Sequence, residues 1–250
     1  MTVTRDPLDR VYGLAAALAA FEARPDAVAR IAHTPELRFP LREVLREAAK
    51  RRIAYREVTA DELSRMCESQ HHEGVCVWVR RGRAASLNDA IDAVGQSGAM
   101  FALDAVENPH NVGAIVRTAA YFGIAAVLVQ TEGGRPLPAS ALRVAEGGTE
   151  QVCVTVGSSL PRALVELRRA GFQIVGTDVR GGEPLGAHQF AARSVIVLGN
   201  ERAGLSEDVH KLCDEIVIIP GADRLDSLNV SVAAGILAYE LHMQHSARSL

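Results

Sequence analysis

The apolar positions in the first third of the chain change period several times, which predicts alternating helices and strands. Some segments repeat their apolar residues with helical spacing and others have extended, β-branched patterns. The predicted helices are residues 11–23, 41–52 and 60–69, and the predicted strands are residues 27–33, 53–58 and 74–80. Together they predict a small α/β domain over residues 1–81, which is within the usual size range of a domain.

The rest of the chain has a different pattern. Residues 82–98 have Gly and Ser at both ends and allow a short helix inside, so we interpret them as a linker. Continuous apolar runs follow, at residues 99–104, 125–130, 151–156, 172–178, 194–200 and 215–220. Continuous rather than alternating runs are typical of parallel strands covered on both faces. Residues 99–250 are therefore predicted to form a doubly wound α/β domain.

The segments that follow three of these runs are the candidate functional site. In open parallel sheets, ligands bind beyond the carboxyl ends of the strands. The three segments are AVENPHNVGAIVR (105–117), NERAGLS (200–206) and GADRLDSLNVSVAAGILAYE (221–240). Because the carboxyl ends of parallel strands share one edge of the sheet, the polar residues of these segments are expected to converge there.

The first segment reads as the start of a helix. Asn111 is predicted to be its N-cap, since an Asn side chain accepts hydrogen bonds from the free amides of a first turn. Capping does not explain Arg117, a permanent charge in an apolar run. By itself this segment leaves two interpretations of Arg117 open, a solvated surface residue or a residue directed at an anion.

The second segment contains Gly199, Glu201 and Gly204, which predict a tight turn carrying a carboxylate. This G-x-E-x-x-G pattern alone is a weak signal. It is not the G-x-G-x-x-G dinucleotide fingerprint, which we do not find between a strand and a helix in this chain. A nicotinamide-dependent dehydrogenase is therefore disfavoured.

The third segment leads into the final helix. Taken singly, Ser227 is predicted to cap that helix, and Ser231 to bond back within it. The helix is apolar nearly all round, so it is expected either to fill a core or to pack against a second subunit.

Together, the three segments resemble the three signature motifs of the SpoU, or TrmH-like, family of RNA ribose 2'-O-methyltransferases in the SPOUT superfamily. The motif N-x-x-x-x-x-R matches Asn111 to Arg117, G-x-E-x-x-G matches Gly199 to Gly204, and S-L-N-x-S matches Ser227 to Ser231. The order, spacing and strand-end placement of the motifs carry the resemblance from residue 99 to about residue 242. More loosely, VYGLAAALAA and HHEGVCVWV are similar to segments of the family's small, ribosomal-protein-like RNA-binding domain.

The resemblance implies a fold, a cofactor and a set of site residues. The fold is a parallel sheet with a C-terminal trefoil knot, an exception to the rule against knots, and the protein is a homodimer that binds S-adenosyl-L-methionine. The implied cofactor-binding residues are Gly148, Thr149, Leu198, Gly199, Gly204, Ile219 and Leu228. The implied catalytic residues are Arg117, Asn111, Glu201, Ser227 and Asn229. The implied reaction is methylation of a ribose 2'-hydroxyl in rRNA or tRNA.

The family mechanism gives the motif arginine, here Arg117, the removal or stabilisation of the hydroxyl proton. A guanidinium stays protonated in proteins and is a poor base. We therefore hypothesise that Arg117 orients the 2'-oxygen and a neighbouring phosphate and stabilises developing negative charge. Asn111, Glu201, Ser227 and Asn229 are expected to hold that geometry.

Charge agrees with an RNA partner. Residues 1–83 contain 15 Lys and Arg against 12 Asp and Glu, a net charge of +3, while the rest of the chain has a net charge of −6. Nearly all of the basic residues are arginines, whose planar fork matches phosphate oxygens. We find no targeting or membrane-spanning pattern, and the four cysteines have no C-x-x-C pair, so the expected location is the cytoplasm.

Residues 71–78 give weaker signals. His71 and His72 lie near Cys76, but no second ligand pair accompanies them, so we favour a surface loop and expect no metal. Where related methyltransferases often have His-Gln-Gly, this chain has Glu73 in the middle position. A carboxylate there is expected to weaken contact with RNA, so the identity of the bound RNA stays open. Trp78 is interpreted as a core residue rather than a platform for base stacking.

Two functions stay open from the sequence. The chain is either an active methyltransferase or a non-catalytic RNA-binding or ribosome-associated protein that retains the fold. All three motifs keep their polar residues, which favours the enzyme. The target is also open, since a base atom, tRNA or rRNA is chosen by the front domain and by RNA shape.

Overall fold

The structure is a computed structural model that describes residues 8–157, 159–179, 181–222 and 224–248. It divides into two compact units. The first runs to Arg83 and also takes in Pro138–Glu150, whereas the second contains Ala84–Leu137 and the residues from Gln151 onward.

The helices and strands confirm the predicted alternation. In chain order they are β1 (Leu8–Tyr12), α1 (Leu14–Ala23), β2 (Val28–His33), α2 (Arg42–Lys50), β3 (Ala54–Glu57), α3 (Ala60–Cys67), β4 (Val75–Arg80), α4 (Leu87–Val94), β5 (Gly98–Leu103), α5 (Pro109–Phe122), β6 (Ala126–Gln130), α6 (Ala139–Val144), β7 (Cys153–Gly157), α7 (Leu160–Arg169), β8 (Gln173–Thr177), β9 (Glu183–Pro184), β10 (Arg193–Leu198), α8 (Glu207–His210), β11 (Glu215–Ile218) and α9 (Val230–Arg248). Among the described residues, we find no helix that combines the length and apolar character needed to cross a bilayer.

The first unit is built on a sheet in the order β1-β4-β2-β3, in which β2 and β3 run parallel and the other neighbours antiparallel. Side chains alternate across β4, as the strand period requires. Val75 and Val77 pack into a cluster with α1 and α2, whereas Cys76 and Trp78 pack with α3. Trp78 is 4% exposed, which confirms its interpretation as a core residue.

The predicted helix over residues 11–23 is wrong at its start. Val11 and Tyr12 belong to β1 and pair with Val77 and Cys76 of β4. The chain turns at Gly13, where φ is +95°, and α1 begins only at Leu14. Pairing with a buried strand decides the conformation of Val11 and Tyr12, and this long-range contact overrides the helical spacing of the following alanines.

The segment around His72 differs from the expected surface loop. The His72 side chain is 7% exposed, and its Nε2 lies 3.1 Å from Ser64 Oγ while its Nδ1 accepts from Gly74 N at 3.0 Å. Glu73 has a structural contact, because its Oε2 accepts from Leu14 N at 3.1 Å at the start of α1. Since Gly13 has no side chain to cap α1, the Glu73 carboxylate takes that role.

The chain returns to the first unit after β6. The turn Gly148–Glu150 follows α6, and Glu150 forms a 2.6 Å ion pair with Arg24. Gly148 is buried and Thr149 is half-buried in this turn. Their role in cofactor binding stays a prediction from the resemblance.

The second unit is built on a parallel sheet in the order β7-β6-β5-β10-β8-β11-β9, counted over the described residues. This confirms the predicted parallel α/β architecture. α4, inside the stretch interpreted as a linker, packs Ala90 and Val94 into the core of this unit. Ser86 and Asp89 form a reciprocal capping box at its start.

Candidate active site at the carboxyl edge of the second sheet

Two neighbouring strands, β5 and β10, bring the first two candidate segments to one edge of the sheet. Leu103 and Leu198, their last residues, are direct partners in parallel register. Beyond β5, Asp104 is 4% exposed and its carboxylate accepts from Ser206 N at 2.6 Å. Asn200, beyond β10, donates its Nδ2 to the carbonyl of Ala105 at 2.9 Å. Side-chain hydrogen bonds therefore connect the segments that follow the two strands.

The segment from Gly199 to Gly204 is a closed turn. Asn200 and Gly204 exchange backbone hydrogen bonds of 3.0 and 2.9 Å. A Cβ atom on Gly199 would lie 2.4 Å from the carbonyl carbon of Gly204, and Gly204 itself has φ of +69°. Both glycines are therefore required by the turn itself, Gly199 for close backbone approach and Gly204 for a left-handed conformation.

Asn111 is placed differently from its prediction as an N-cap. α5 begins one turn earlier, at Pro109, and Asn108 is the cap, with its Oδ1 accepting from His110 N at 2.9 Å. Pro109 fits the first helical position, since it lacks the amide that would need a partner. Asn111 is therefore the third residue of α5, and the helix start is capped by another residue.

Instead, Asn111 joins the three candidate segments. It is 9% exposed, its Nδ2 donates to Oε1 of Glu201, and its Oδ1 accepts from Asn229 Nδ2 at 3.2 Å. Asn229 Oδ1 in turn accepts from Ser231 Oγ at 2.6 Å. We call Asn111, Glu201, Asn229 and Ser231 the amide network. In Asn111 and in Asn229, the side-chain nitrogen donates a hydrogen bond and the side-chain oxygen accepts at least one, so the orientation of each amide is fixed.

Asn229 also starts the last helix, where the prediction of Ser227 as the cap is wrong. The Oδ1 of Asn229 accepts from Ser231 N at 2.9 Å, and its carbonyl accepts from Val232 N at 3.0 Å. The helix begins at Val230, so Asn229 is in the cap position. Ser227 lies two residues before the cap and is exposed.

The remaining candidates lie around the amide network. Arg117 is exposed on α5, six residues after Asn111 and thus about 9 Å further along the helix axis. Leu198 is 1% exposed, and its carbonyl accepts from Asp104 N at 2.9 Å. Ile219 is half-buried directly after β11, and Leu228 is 46% exposed.

Sequence reasoning missed Asp104, Asn108 and Asn200. The predicted strands include Asp104 and Asn200 as their last residues, whereas β5 and β10 stop one and two residues earlier, respectively. The available signal was a polar side chain ending an apolar run, directly at the edge where ligands bind. For Asn108, the signal was the following proline, which favours the first position of a helix.

Replacing Asn111 with Asp is expected to make the stability of this site depend on pH. The new carboxylate faces Glu201, and two neighbouring carboxylates raise the pKa of one of them in the folded state. The folded protein then binds more protons than the unfolded chain, so stability is retained at low pH and lost as pH rises through the raised pKa. The midpoint of thermal unfolding should fall further below wild type at about pH 8 than at about pH 5.

Asn111→Ala is the matched control for that variant. It removes the same hydrogen bonds without adding a charge, so its loss of stability, about 1–3 kcal/mol, should be similar at both pH values. An equal pH dependence for the two variants would show that the introduced carboxylate and Glu201 do not interact, and would contradict the amide network.

One cluster elsewhere in the second unit has side chains of types that bind metals. Nδ1 of His188, 1% exposed, lies 2.9 Å from Glu183 and 3.1 Å from Glu215. Its Nε2 is buried without a hydrogen-bond partner among the described residues. Because metal-bound histidines normally donate through their second ring nitrogen, we interpret this cluster as a link between edge strand β9 and β11.

Comparison with known proteins agrees with both parts of the chain. Residues 98–239 match the SpoU rRNA Methylase family, and residues 10–83 match the family described as RNA 2'-O ribose methyltransferase substrate binding. The 23S rRNA (guanosine-2'-O-)-methyltransferase RlmB of a Burkholderia species is 33% identical over 243 residues, covering 96% of this chain and 98% of the relative. An uncharacterized tRNA/rRNA methyltransferase, YfiF of Escherichia coli O157:H7, is 34% identical over 95% of this chain and 69% of its own length.

The fold is similar to that of solved methyltransferases. The SpoU methyltransferase AviRb from Streptomyces viridochromogenes, crystallised with the cofactor AdoMet, superposes with a TM-score of 0.79 at 26% identity, over 96% of this chain and 91% of AviRb. The residues of the first segment and of the G-x-E-x-x-G turn lie at one edge of the parallel sheet. The first and the second part of the chain each match a known family. The chain belongs to the SpoU rRNA methylase family.

Proposed function

We propose that this protein transfers a methyl group from S-adenosyl-L-methionine to a ribose 2'-hydroxyl of RNA. The observation that carries the proposal is the amide network, which joins all three motif segments of a SpoU family member through Asn111. The three segments contain the glycines and the polar residues of the family motifs. Asn111 is hydrogen-bonded directly to Glu201 and to Asn229.

The cofactor is proposed to lie against the loops that follow β10 and β11. S-Adenosyl-L-methionine supplies an electrophilic methyl group on a sulfonium. The loops suit a ligand that approaches the backbone, because a Cβ on Gly204 or Gly221 would meet open space. Gly199, Ile219 and Leu228 would hold the cofactor, and Leu198 would contribute only backbone because its side chain is buried.

The residues of this chain are proposed to position the ribose rather than remove its proton. Arg117 is exposed and permanently charged, so its fork binds the 2'-oxygen and an adjacent phosphate and stabilises developing negative charge. Asn111, Glu201 and Asn229 fix the start of α5, on which Arg117 is carried, against the turn and the last helix. Holding the reactants in line supplies much of the rate of such a transfer.

The proposed target is 23S rRNA, because the RlmB relatives are named 23S rRNA (guanosine-2'-O-)-methyltransferases. Because the proposed substrate is rRNA, the cytoplasm is the proposed site of action. tRNA is the second candidate target, because the uncharacterized relatives are described as tRNA/rRNA methyltransferases.

Two measurements test the function. Calorimetry on the purified protein should detect binding of S-adenosyl-L-methionine, and ribose methylation mapped across total RNA should lose one position in cells that lack this protein. RNA binding without cofactor binding would instead indicate a non-catalytic RNA-binding protein. A lost methylation on a base atom, rather than on a ribose, would contradict the proposed reaction.

The protein is further proposed to be a homodimer through α9. One face of this helix is buried, whereas Val232, Ile236, Tyr239 and Met243 are 37–54% exposed and recur at helical spacing. Contiguous exposed apolar surface marks interaction sites. A C-terminal trefoil knot, implied by the resemblance, is proposed as well.

Combined replacement of Ile236 and Tyr239 by Asp is expected to yield a monomer. Each charge would have to be desolvated against an apolar surface, which costs several kcal/mol. Sedimentation velocity should show wild type as a dimer and the double variant at half that mass. Leu18→Asp is the control, because Leu18 is 36% exposed on α1 of the first unit. A double variant that sediments like wild type would show that α9 is not the interface.

A further inference from the structure

A groove in the first unit lies between α2 and the edge strand β3. Its volume is about 510 Å³, within the range of ligand sites. Its lining residues are His33, Arg38, Arg42, Leu45, Arg46, Ala49, Tyr55, Arg56 and Glu57. The groove is outside the methyltransferase motifs, and none of its residues belongs to the proposed catalytic or cofactor set.

An aromatic ring is available in this groove. Tyr55 pairs in register with Ile31 of β2, whose side chain packs in the cluster with α1 and α2, so Tyr55 is on the side of the sheet that faces α2. Its side chain is 46% exposed, unlike Trp78, which is 4% exposed. Base stacking was considered for Trp78 from the sequence. Of the two rings, however, it is Tyr55 that is accessible to a ligand.

The groove is also rich in positive charge. Arg38, Arg42 and Arg46 line it against a single acidic lining residue, Glu57, whereas the Arg56 guanidinium lies 3.2 Å from Met66 Sδ of α3, on the opposite face of the sheet.

Arg42 and Arg46 of α2 both have partners at the surface, and Glu43 also lies 3.6 Å from Nε of Arg42. The guanidinium of Arg42 stacks 4.5 Å above the Phe39 ring and donates to the Phe39 carbonyl at 3.3 Å. Arg46 forms a 2.7 Å pair with Glu43, but both side chains are more than 60% exposed, and exposed pairs are weak. A phosphate can therefore compete for Arg46, while Arg42 is already ordered by its ring contact.

We propose that this groove binds an unpaired nucleotide of the RNA substrate, with its base stacked on Tyr55 and its phosphates on Arg42 and Arg46. Stacking on an exposed ring beside arginines is the usual way in which single-stranded RNA is bound. Paired bases of an A-form helix are not available for such stacking. The proposal rests on the proposed function for its choice of RNA, and it assigns the recognition of unpaired RNA to the first unit.

The stacking contact is tested with a fluorescent oligouridylate as the probe, by anisotropy on the full-length protein. Tyr55→Ala should weaken binding about tenfold, since base stacking on an aromatic side chain contributes roughly that factor or more. Tyr55→Phe keeps the ring and should bind about as tightly as wild type. The proposal is overturned if Tyr55→Ala binds like wild type, or if the probe annealed to oligoadenylate binds as tightly as the single strand.

The phosphate contacts are tested by salt dependence. In the Arg42→Ala, Arg46→Ala double variant, the slope of log affinity against log salt should decrease by about 1.4, because single strands give roughly 0.7 per phosphate contact. Arg65→Ala is the matched control, since Arg65 is exposed on α3, which packs on the opposite face of the sheet. An unchanged slope in the double variant would contradict the phosphate contacts.

The same variants separate this proposal from the proposed function. Tyr55→Ala should bind S-adenosyl-L-methionine as wild type does. If wild type binds no cofactor but binds the oligouridylate through Tyr55, the methyltransferase function fails while the groove stands. If cofactor binding and ribose methylation are found but Tyr55→Ala leaves RNA affinity unchanged, the groove proposal alone fails.

Discussion

Replacing Arg117 with Lys is expected to abolish most ribose methylation while leaving cofactor affinity unchanged. Lysine keeps the charge but lacks the planar fork that can bind the 2'-oxygen and a phosphate together. Removing one preorganised contact to a developing oxyanion costs about 10²–10³-fold in kcat. The measurements are single-turnover methylation of the target RNA and calorimetry with S-adenosyl-L-methionine.

The pH profile of Arg117→Lys distinguishes the two roles that the family mechanism allows for this residue. A lysine amine titrates near pH 10.4, whereas the guanidinium stays protonated. If position 117 acted as a base, the variant would recover activity as pH rises toward the lysine pKa. We expect no such recovery. Arg162→Lys, at an 84% exposed position on α7, is the control and should methylate like wild type.

Gly199→Ala is expected to disrupt the turn after β10 and with it cofactor binding. The added Cβ would lie 2.4 Å from the Gly204 carbonyl carbon and 2.6 Å from Leu205 N, and both of these are backbone atoms. Backbone cannot move aside as a flexible side chain can, so the turn must open. Overpacking of this kind costs about 1–3 kcal/mol, which lowers the unfolding midpoint by several degrees. Because the cofactor is proposed to bind the intact turn, a similar free energy should be lost from binding. Cofactor affinity should then fall about tenfold or more, since a tenfold change corresponds to about 1.4 kcal/mol.

Two glycine variants control for this effect. Gly204→Ala has room for the methyl group in the free protein but requires φ of +69°, so its stability should fall by about 1–2 kcal/mol. Gly186→Ala meets nothing within 4 Å and should be near neutral. If Gly199→Ala were as stable as Gly186→Ala and bound the cofactor normally, the turn would not depend on close approach at Gly199.

The amide network shows why the sequence identified the right segments but misassigned some of their roles. Asn111 and Ser227 both fit helix caps, because capping is a local interaction that any short polar residue before a helix can make. The observed caps are Asn108 and Asn229, and Asn111 bonds to residues 90 and 118 positions away. Rules based on neighbouring residues do not predict contacts at such separations in sequence.

The groove residues give a second example. The sequence showed an arginine-rich first domain and one tryptophan, and it could not show which aromatic ring is exposed. Strand pairing decided this, because Trp78 belongs to a central strand covered by α3, whereas Tyr55 belongs to the edge strand β3.

The sequence by itself determined the alternation of elements, the parallel sheet of the second unit and the family, because apolar periodicity and motif spacing are written along the chain. The tertiary structure alone decided that β1 precedes α1, that Pro138–Glu150 belongs to the first unit, and that Asn111 joins α5, the turn at Glu201 and α9. These features depend on contacts between residues far apart in sequence. Such contacts form only when whole strands and helices have packed, so their free energy appears in no single segment.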